Sequence, residues 1–239
     1  MKITALLTGK KNSSFKNKNE IKIHNEYIFN YPAKCAKKIK EIDFFYTSSD
    51  SKIILHQTKK IGYQAIDRPK NLARKNSKHI DVLKHALNIF KKNNEYPDIL
   101  IVLLANAPII KPKWISDCIK ILKKNRNITA VVPVQNINDH HPDRAKQIKN
   151  NMLKNFINKK NISSNRQDLS KCFFLCHNFW AIRPNEIYKN NGSLPWSFMG
   201  KKVKGYEIKS SIDIHSAMDV EIAKILIKNE KINKRFILS

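Results

Sequence analysis

The sequence predicts a doubly wound α/β fold with a mostly parallel sheet and a small inserted lobe. Short apolar runs alternate with amphipathic helical patterns through the first 135 residues. The run DILIVLLA (98–105) is apolar without alternation, as is typical of a parallel strand buried on both faces. A polar, Asn-rich stretch at 136–170 interrupts the pattern, so we expect it to leave the sheet as a lobe. The whole chain, 1–239, is therefore interpreted as one domain with an insertion.

The first half of the chain supplies strands and helices in alternation. KITALLT (2–8) and FFYTSS (44–49) predict strands, and YPAKCAKKIK (31–40) predicts a helix with Pro32 in its first turn. SDSKIILHQTKKIGY (49–63) predicts a helix closed by Gly62. SKHIDVLKHALNIFKK (77–92) places its apolar residues on one face of a helix that Ser77 would cap.

The second half continues the pattern and then returns from the lobe. WISDCIKILKK (114–124) predicts a helix and TAVVPV (129–134) a strand. CFFLCHNFWAI (172–182) predicts a further strand, and SAMDVEIAKILIKNE (216–230) predicts a closing amphipathic helix. In doubly wound sheets, ligands bind at the carboxyl ends of the strands where strand order reverses. The residues that follow the first strand are thus expected to lie at a ligand-binding edge.

The charge of the chain points to an anionic partner without choosing among the classes. The formal net charge is +27 in 239 residues, which would attract nucleic acid, anionic membrane or phosphorylated small molecules. The excess of Lys is spread from end to end together with an excess of Asn and Ile, which favours compositional drift over a dedicated basic patch. Only seven of the 46 basic residues are Arg, so each Arg is the more informative.

Targeting signals are not apparent in the sequence. The N-terminal apolar run ITALLT is too short for a signal-peptide core, and no segment approaches the length of a membrane span. We therefore expect a cytoplasmic protein with no membrane partner. The four cysteines, Cys35, Cys118, Cys172 and Cys176, are then expected to be reduced thiols.

The stretch LLTGKKNSSFKNKN (6–19) combines the features of a phosphate-binding loop. Gly9 gives room for close approach, Lys10 and Lys18 give charge, and Asn12 can donate hydrogen bonds. Neither GxxxxGK[ST] nor GxGxxG is present. On these residues alone, a phosphate-binding loop and a solvated loop both remain open.

Six segments together resemble the CMP-sialic acid synthetases, also called acylneuraminate cytidylyltransferases. They are TGKKNSSFKNKN (8–19), DRPKNLAR (67–74), LLANAPIIK (103–111), DHHPDR (139–144), NRQDL (165–169) and SIDIHSAMDVEIAK (211–224). They occur in the order of the family's motifs and span roughly residues 3–226. One such segment is a weak signal, but six in order are a strong one.

The resemblance implies transfer of CMP from CTP to a nonulosonic acid, with release of pyrophosphate and with Mg²⁺ as cofactor, in a homodimer formed through the lobe. His215, where the family has Asp, would act through a metal-bound water or shift the preference toward Mn²⁺. Lys18 is the implied catalytic residue. The implied nucleotide-binding residues are Thr8, Gly9, Lys10, Asn12, Lys18, Asn19, Arg68 and Ser77. The implied sugar-binding residues are Asn106, Arg166, Gln167 and Phe198, and an Arg is the apt partner for the sugar carboxylate. Asp213 and His215 are the implied metal ligands, and on an extended segment they would point to the same face.

The chain departs from the family pattern in four places. The family's Ser-Lys-Gly falls near Asn12, Ser13 and Ser14. The Arg of the family's first loop falls on Gly9, the Gln of its fourth-strand segment on Ala105, and the second Asp of its closing motif on His215. We interpret the reaction class as retained and the identity of the sugar as open. Lys10 or Lys11 would compensate for the missing Arg.

Two rival functions stay in view. One is a cytidylyltransferase for another sugar acid such as Kdo. The other is a basic RNA-binding protein, which would interleave aromatic residues with a basic face, whereas the aromatics here fall mostly in predicted strands and helices, so nucleic acid is not the expected partner. A zinc site built from the histidines and cysteines at 140–177 is disfavoured, because their spacing fits no common ligand pattern.

Overall fold

A computed structural model describes residues 1–11, 17–137, 140–159 and 161–236. The strands are β1 (Ile3–Thr8), β2 (Lys22–Ile23), β3 (Glu26–Tyr27), β4 (Phe44–Ser49), β5 (Gln64–Asp67), β6 (Ile99–Leu104), β7 (Ala130–Asn136), β8 (Lys146–Lys149), β9 (Met152–Asn155), β10 (Phe173–Leu175), β11 (Phe179–Ile182) and β12 (Val203–Glu207). The helices are α1 (Asn30–Ala36), α2 (Lys52–Lys60), α3 (His79–Lys92), α4 (Pro112–Lys124), α5 (Pro184–Lys189) and α6 (Ala217–Phe236).

Eight of these strands form one mixed sheet. Seven of them follow the order β10-β7-β11-β6-β1-β4-β5, and the eighth, β12, lies outside this order and pairs with β7. β1 pairs parallel with both β4 and β6, and β4 pairs parallel with β5. β11 runs antiparallel between β6 and β7. The predicted doubly wound, mostly parallel class is confirmed. Strand order reverses between β1 and β6, so the ligand-binding edge of such a fold lies at their carboxyl ends.

The two faces of the central strands are covered by different helices. Ala5 and Leu7 of β1 face a cluster formed with α1, α2 and α4. Leu6 of β1 faces the opposite cluster, which contains Leu83 and Leu87 of α3. Alternate side chains of a strand point to opposite faces, so β1 and β6, which carry apolar residues on both faces, require helices on both sides.

The ends of the helices show which local predictions hold. Gly62 follows α2 with φ +89°, and its N–H donates to the carbonyl of Lys59, so the predicted closure by glycine is confirmed. The predicted Ser77 cap is wrong, because Lys78 occupies the position before α3 and the Ser77 hydroxyl instead donates to the carbonyl of Asn71 at 2.8 Å.

Helix α6 begins with a reciprocal cap. The amide of Ser216 donates to Asp219 Oδ2 at 2.8 Å, and the amide of Asp219 donates to Ser216 Oγ at 3.3 Å. Asp219 also accepts a hydrogen bond from the amide of His215 at 2.9 Å. The cap therefore fixes the backbone of the segment that precedes the helix.

Other elements differ from the sequence prediction. CFFLCHNFWAI forms two strands, β10 and β11, because residues 176–178 break the run. β5 and β12 were not predicted, since they are short and largely exposed. The polar stretch contains the hairpin β8–β9, a two-stranded sheet of its own. Among the helices within the described ranges, none is both long enough and apolar enough to cross a membrane.

Candidate active site

A cavity of about 780 Å³ opens at the carboxyl ends of β1, β5 and β6, at the reversal of strand order. Its lining comprises Thr8, Gly9, Lys10, Lys18, Asn19, Arg68, Leu72, Ala73, Arg74, Lys75, Ser77, His79, Val82, Leu104 and Asn106. The lining brings together all the predicted nucleotide-binding residues that the structure describes, together with Asn106. Asn12, the remaining one, lies outside the described residues.

The charges of this lining are all of one sign. Five of its residues are Lys or Arg, and within the described part of the chain none of the lining residues is Asp or Glu. Cations gathered in a cleft focus a positive potential and raise the local concentration of anions. The cavity is thus chemically suited to a ligand with several negative charges.

Gly9 occupies the cavity floor where β1 approaches the residue after β6. A Cβ atom at Gly9 would lie 2.7 Å from the Cβ of Ala105, closer than real Cβ atoms come. The amide of Ala105 donates to the carbonyl of Thr8 at 3.0 Å, which holds the two segments together. Two of the departures from the family pattern therefore touch each other, and a side chain at position 9 would require Ala105 to move.

Arg68 lines the cavity with a guanidinium that is largely committed to the protein. Its Nη2 donates to the carbonyl of Ser48 at 2.7 Å and its Nε to Ser48 Oγ at 3.3 Å. Burial lowers the pKa of Arg68 to about 10, against the opposing charge of Asp50. Arg68 therefore stabilises the end of β4 through its hydrogen bonds to Ser48. Its guanidinium is buried in the cavity wall, from where it adds positive charge to the cavity.

Lys18 and Asn19 are nearly buried although they are polar. They lie in a short 3-10 helix, Lys18–Glu20, that returns the first loop toward the sheet. Asn19 Nδ2 donates to the carbonyl of Lys10 at 2.7 Å, which ties the two ends of the loop together. Burial lowers the pKa of Lys18, and the charge of Asp213 partly opposes that shift.

A chain of hydrogen bonds connects Lys18 to the closing segment. Lys18 Nζ lies 3.2 Å from His215 Nδ1, and His215 Nε2 lies 2.8 Å from Asp213 Oδ2. Because a charged Lys only donates, Nδ1 accepts and the Nε2–H donates to the Asp213 carboxylate. The other oxygen of Asp213, Oδ1, accepts a hydrogen bond from the side-chain amide nitrogen of Asn106. Residues more than a hundred positions apart in the sequence are thereby joined beside the cavity.

The two predicted metal ligands differ in how well they suit Mg²⁺. Asp213 offers carboxylate oxygens, and Mg²⁺ is commonly held by one or two carboxylates together with substrate phosphates. Both ring nitrogens of His215 already make hydrogen bonds, so this residue reaches a metal only by giving one up. Within the described ranges, no group of three or more His, Cys, Asp or Glu could hold an ion without other ligands. The arrangement fits a metal bound jointly by Asp213 and a ligand.

His79, the first residue of α3, is a cavity residue that the sequence did not single out. Its Nε2 lies 3.1 Å from Thr8 Oγ1, and its ring packs against Trp180 at 5.5 Å. Burial, and then the nearby charge of Arg68, lowers the pKa of His79 to about 4. The imidazole is therefore neutral at pH 7 and adds a hydrogen-bonding group, not a charge, to the lining.

The predicted sugar-binding residues are spread over the molecule. Asn106 lines the cavity, whereas Phe198 is 6% exposed and packs in the core beside Trp180. Arg166 and Gln167 lie in a short exposed 3-10 helix of the polar stretch 136–170, called the excursion below, and are not among the lining residues. Their assignment to the sugar stays a prediction.

Arg74 and Lys75 also line the cavity and were not among the predicted site residues. A signal for Arg74 was present, since Arg is scarce in this chain and Arg74 follows directly on the segment RPKNLA. Lys75 is one of many lysines, and only the fold distinguishes it from the others.

A cavity that is cationic, large enough for a nucleotide and placed at the switch point of a doubly wound sheet is characteristic of nucleotide-binding α/β enzymes. The profile of one family, Cytidylyltransferase, matches residues 11–229. The chain therefore belongs to the cytidylyltransferase family, which makes it a nucleotidyltransferase. No curated protein gives a significant match to the sequence.

Solved structures with similar folds include a CMP:2-keto-3-deoxy-manno-octonic acid synthetase complexed with CTP, with a TM-score of 0.70, 14% identity, and coverage of 96% of this chain and 100% of that one. A 4-diphosphocytidyl-2C-methyl-D-erythritol synthase from Anaerococcus prevotii DSM 20548 has a TM-score of 0.63, 16% identity and coverage of 95% and 96%. Another 4-diphosphocytidyl-2C-methyl-D-erythritol synthase has a TM-score of 0.66, 9% identity and coverage of 95% and 100%. At these identities the likeness shows the fold.

Proposed function

We propose that this cytidylyltransferase uses CTP and transfers CMP to a nonulosonic acid of the sialic type, releasing pyrophosphate. The observation that carries the proposal is the cavity itself, whose charged lining residues are five cations at the switch point between β1 and β6. Family membership supports the nucleotide half of the reaction. The six ordered motifs, with an Arg in NRQDL (165–169) suited to a sugar carboxylate, support the sialic-type acceptor.

The chemistry asked of the site is alignment and charge neutralisation. In the proposed reaction the oxygen of a sugar-acid hydroxyl forms a bond to the α-phosphorus and its proton passes to water. The bond from the α-phosphorus to the oxygen that bridges to the β-phosphate breaks as pyrophosphate leaves. Lys10 and Lys18 lie where they can offset the charge of the phosphates. The hydrogen bonds from Asn19 to Lys10 and from Lys18 to His215 hold the two ends of the first loop before substrate arrives.

Asp213 would hold the Mg²⁺ that the proposal includes. When bound, the metal would neutralise phosphate charge and help to orient the triphosphate. Asn106 and His215 hold the Asp213 carboxylate through its two oxygens, so its position is fixed by its neighbours. His215 acts in this arrangement by orienting Asp213 and Lys18.

The decisive experiment measures pyrophosphate release from each nucleoside triphosphate against a panel of acceptors, with Mg²⁺, with Mn²⁺ and with chelator. We expect release with CTP and a sialic-type acid when metal is present. The panel contains 2-keto-3-deoxy-manno-octonic acid (Kdo) and 2C-methyl-D-erythritol derivatives as competing acceptors. Tight, salt-sensitive RNA binding with no pyrophosphate release from any pair would instead favour the RNA-binding alternative.

A Kdo acceptor is the second candidate. It is favoured by the likeness to the CMP:2-keto-3-deoxy-manno-octonic acid synthetase complexed with CTP, which covers 96% of this chain. Like a sialic-type acid, Kdo carries a carboxylate, so the same cationic site could accept either. Release that is faster with Kdo than with every sialic-type acid at equal concentration would select this candidate.

The hairpin β8–β9 supports a homodimer as part of the proposal. Its apolar side chains are exposed, with Ile148 77%, Met152 65% and Leu153 69% accessible, and Phe156 just after it is 66% accessible. Ile148 and Leu153 are register partners on one face of the hairpin, and Met152 and Phe156 lie on the other face. Exposed apolar side chains of this kind are what a partner chain would cover. We propose that a second copy of the chain covers them, which sedimentation velocity at several concentrations would test. A monomer at every concentration would contradict this part of the proposal.

A further inference from the structure

We propose that Arg74 and Lys75 bind the β- and γ-phosphates of the nucleotide, from the wall of the cavity that faces the first loop. The inference rests on the proposed function, because it assumes that a nucleoside triphosphate occupies the cavity. It goes further by assigning phosphate recognition to two residues outside the first loop. These two side chains supply the cationic contact that Gly9 cannot make.

The loop that carries Arg74 and Lys75 is fixed by hydrogen bonds to its backbone, and these bonds do not involve the charged groups of the two side chains. The Ser77 hydroxyl donates to the carbonyl of Asn71 at 2.8 Å, and the amide of Ser77 donates to the carbonyl of Arg74 at 3.1 Å. Lys10 Nζ lies 3.4 Å from the same Arg74 carbonyl. The backbone is thus closed on itself and linked to the first loop, while the Arg74 and Lys75 side chains are exposed at the cavity wall. A loop fixed in this way loses little entropy when an anion binds.

The first loop by itself is short of a two-point phosphate donor. Position 9 has no side chain, and Ala105 leaves no space for one. Lys10 and Lys18 offer only point charges, which lack the planar pair of donors that an Arg presents to phosphate. Arg68 has that pair but directs two of its donors at Ser48. Arg74 is the remaining guanidinium in the lining, and its side chain is exposed where that of Arg68 is buried.

A phosphate ligand for this wall is favoured over the carboxylate of a sugar acid. Lys10 links the wall to the loop after β1, and that loop lies at the switch point where nucleotides bind in such sheets. The described lining contains several cations and no carboxylate. Such a lining matches a triphosphate, which carries several negative charges, better than it matches a sugar acid, which carries one negative charge. The predicted partner of the sugar carboxylate, Arg166, is outside this lining.

Calorimetric titration of the full chain with CTP, CMP and a sialic-type acid tests the inference without requiring turnover. We expect Arg74→Ala to weaken CTP binding about ten- to thirtyfold and CMP binding less than about threefold, because only CTP carries the β- and γ-phosphates. Lys75→Ala should weaken CTP by about three- to tenfold. Arg74→Lys should fall between wild type and Arg74→Ala. Arg126→Ala, an exposed Arg that lines a different cavity, is the matched control and should bind CTP like wild type.

Each other outcome overturns the inference in a recognisable way. If wild type binds CTP and Arg74→Ala binds it equally well, these residues do not contact the phosphates. If Arg74→Ala weakens CTP and CMP alike, the contact is not to the β- and γ-phosphates, and if it weakens only the sugar acid, the anion is the carboxylate. If wild type binds no nucleotide at all, the proposed function itself fails. Thermal unfolding of Arg74→Ala and Arg74→Lys distinguishes a lost contact from a lost fold.

Discussion

The cavity edge and the excursion at 136–170 differ in how far the surrounding chain buries them. Thr8 ends β1, and Gly9 and Asn106 follow β1 and β6, strands whose side chains are buried on both faces, so the sheet fixes where these residues lie. Arg166 and Gln167 lie in an exposed 3-10 helix, near in sequence to a hairpin whose apolar side chains face outward. The comparison teaches that the sheet of one chain fixes the residues of the cavity edge, whereas the apolar side chains of the excursion's hairpin stay exposed in the single chain.

The largest expected effect is the difference in stability between a Leu→Ala substitution at the core behind the cavity edge and the same substitution in the excursion. Leu87→Ala in α3 truncates a fully buried core residue, so we expect the free energy of unfolding to fall by about 2–5 kcal/mol. Leu153→Ala in β9 truncates a side chain that is 69% exposed and should change it by less than about 0.5 kcal/mol at concentrations where the chain is monomeric. Denaturant unfolding measures both. A cost above about 1 kcal/mol for Leu153→Ala in the monomer would contradict the contrast.

Asp213→Asn should have the next largest effect and addresses the cavity edge. We expect kcat/KM to fall about a hundredfold at limiting Mg²⁺, because an amide replaces the carboxylate that would hold the metal. Pyrophosphate release across titrations of Mg²⁺ and Mn²⁺ measures it, with Asp81→Asn, an exposed Asp of α3, as control. His215→Asp tests the alternative in which His215 gives up one of its hydrogen bonds and binds the metal. In that case the change would lower the ratio of Mn²⁺- to Mg²⁺-supported rates, because an oxygen donor replaces a nitrogen donor, whereas an unchanged ratio would leave His215 as the residue that orients Asp213. Wild-type activity of Asp213→Asn at limiting metal would refute the assignment.

Arg166→Lys tests the excursion. The change keeps the charge but removes the two-point donor, so kcat/KM for the sugar acid should fall about ten- to a hundredfold while KM for CTP stays the same. Steady-state kinetics with each substrate varied in turn provides the measurement. Arg144→Lys, at another exposed Arg of the excursion, is the control. Equal losses for both substrates would show that Arg166 does not act on the sugar.

Gly9→Ala should have the smallest effect and sharpens the description of the cavity floor. The added methyl group would meet the Cβ of Ala105 at 2.7 Å, so we expect a loss of about 1–3 kcal/mol in the free energy of unfolding. In an Ala105→Gly background the same change should cost less, because that contact is gone. A double-mutant cycle by denaturant unfolding measures the coupling. Additive effects would mean that the two residues do not interact.

The comparison also separates what a linear pattern can predict from what it cannot. Short apolar runs predicted β1 and β6, and helical periodicity predicted the buried face of α3, because both patterns record which side of an element is covered. β5 and β12 escaped, since short exposed strands at the margins of a sheet carry little apolar signal. The single run at 172–182 was divided because its two halves pair with different parts of the sheet.

By itself, the sequence determined the fold class and predicted the residue types of the site, since these follow from periodicity, charge and motif order. Only the tertiary structure decided that Gly9 abuts Ala105, that Arg68 is committed to Ser48 and that Arg74 faces the cavity. It also decided that Asp213 meets Asn106, 107 positions away in sequence. The physical reason is that strand order and loop closure set such contacts, and neither leaves a trace in the local pattern of residues.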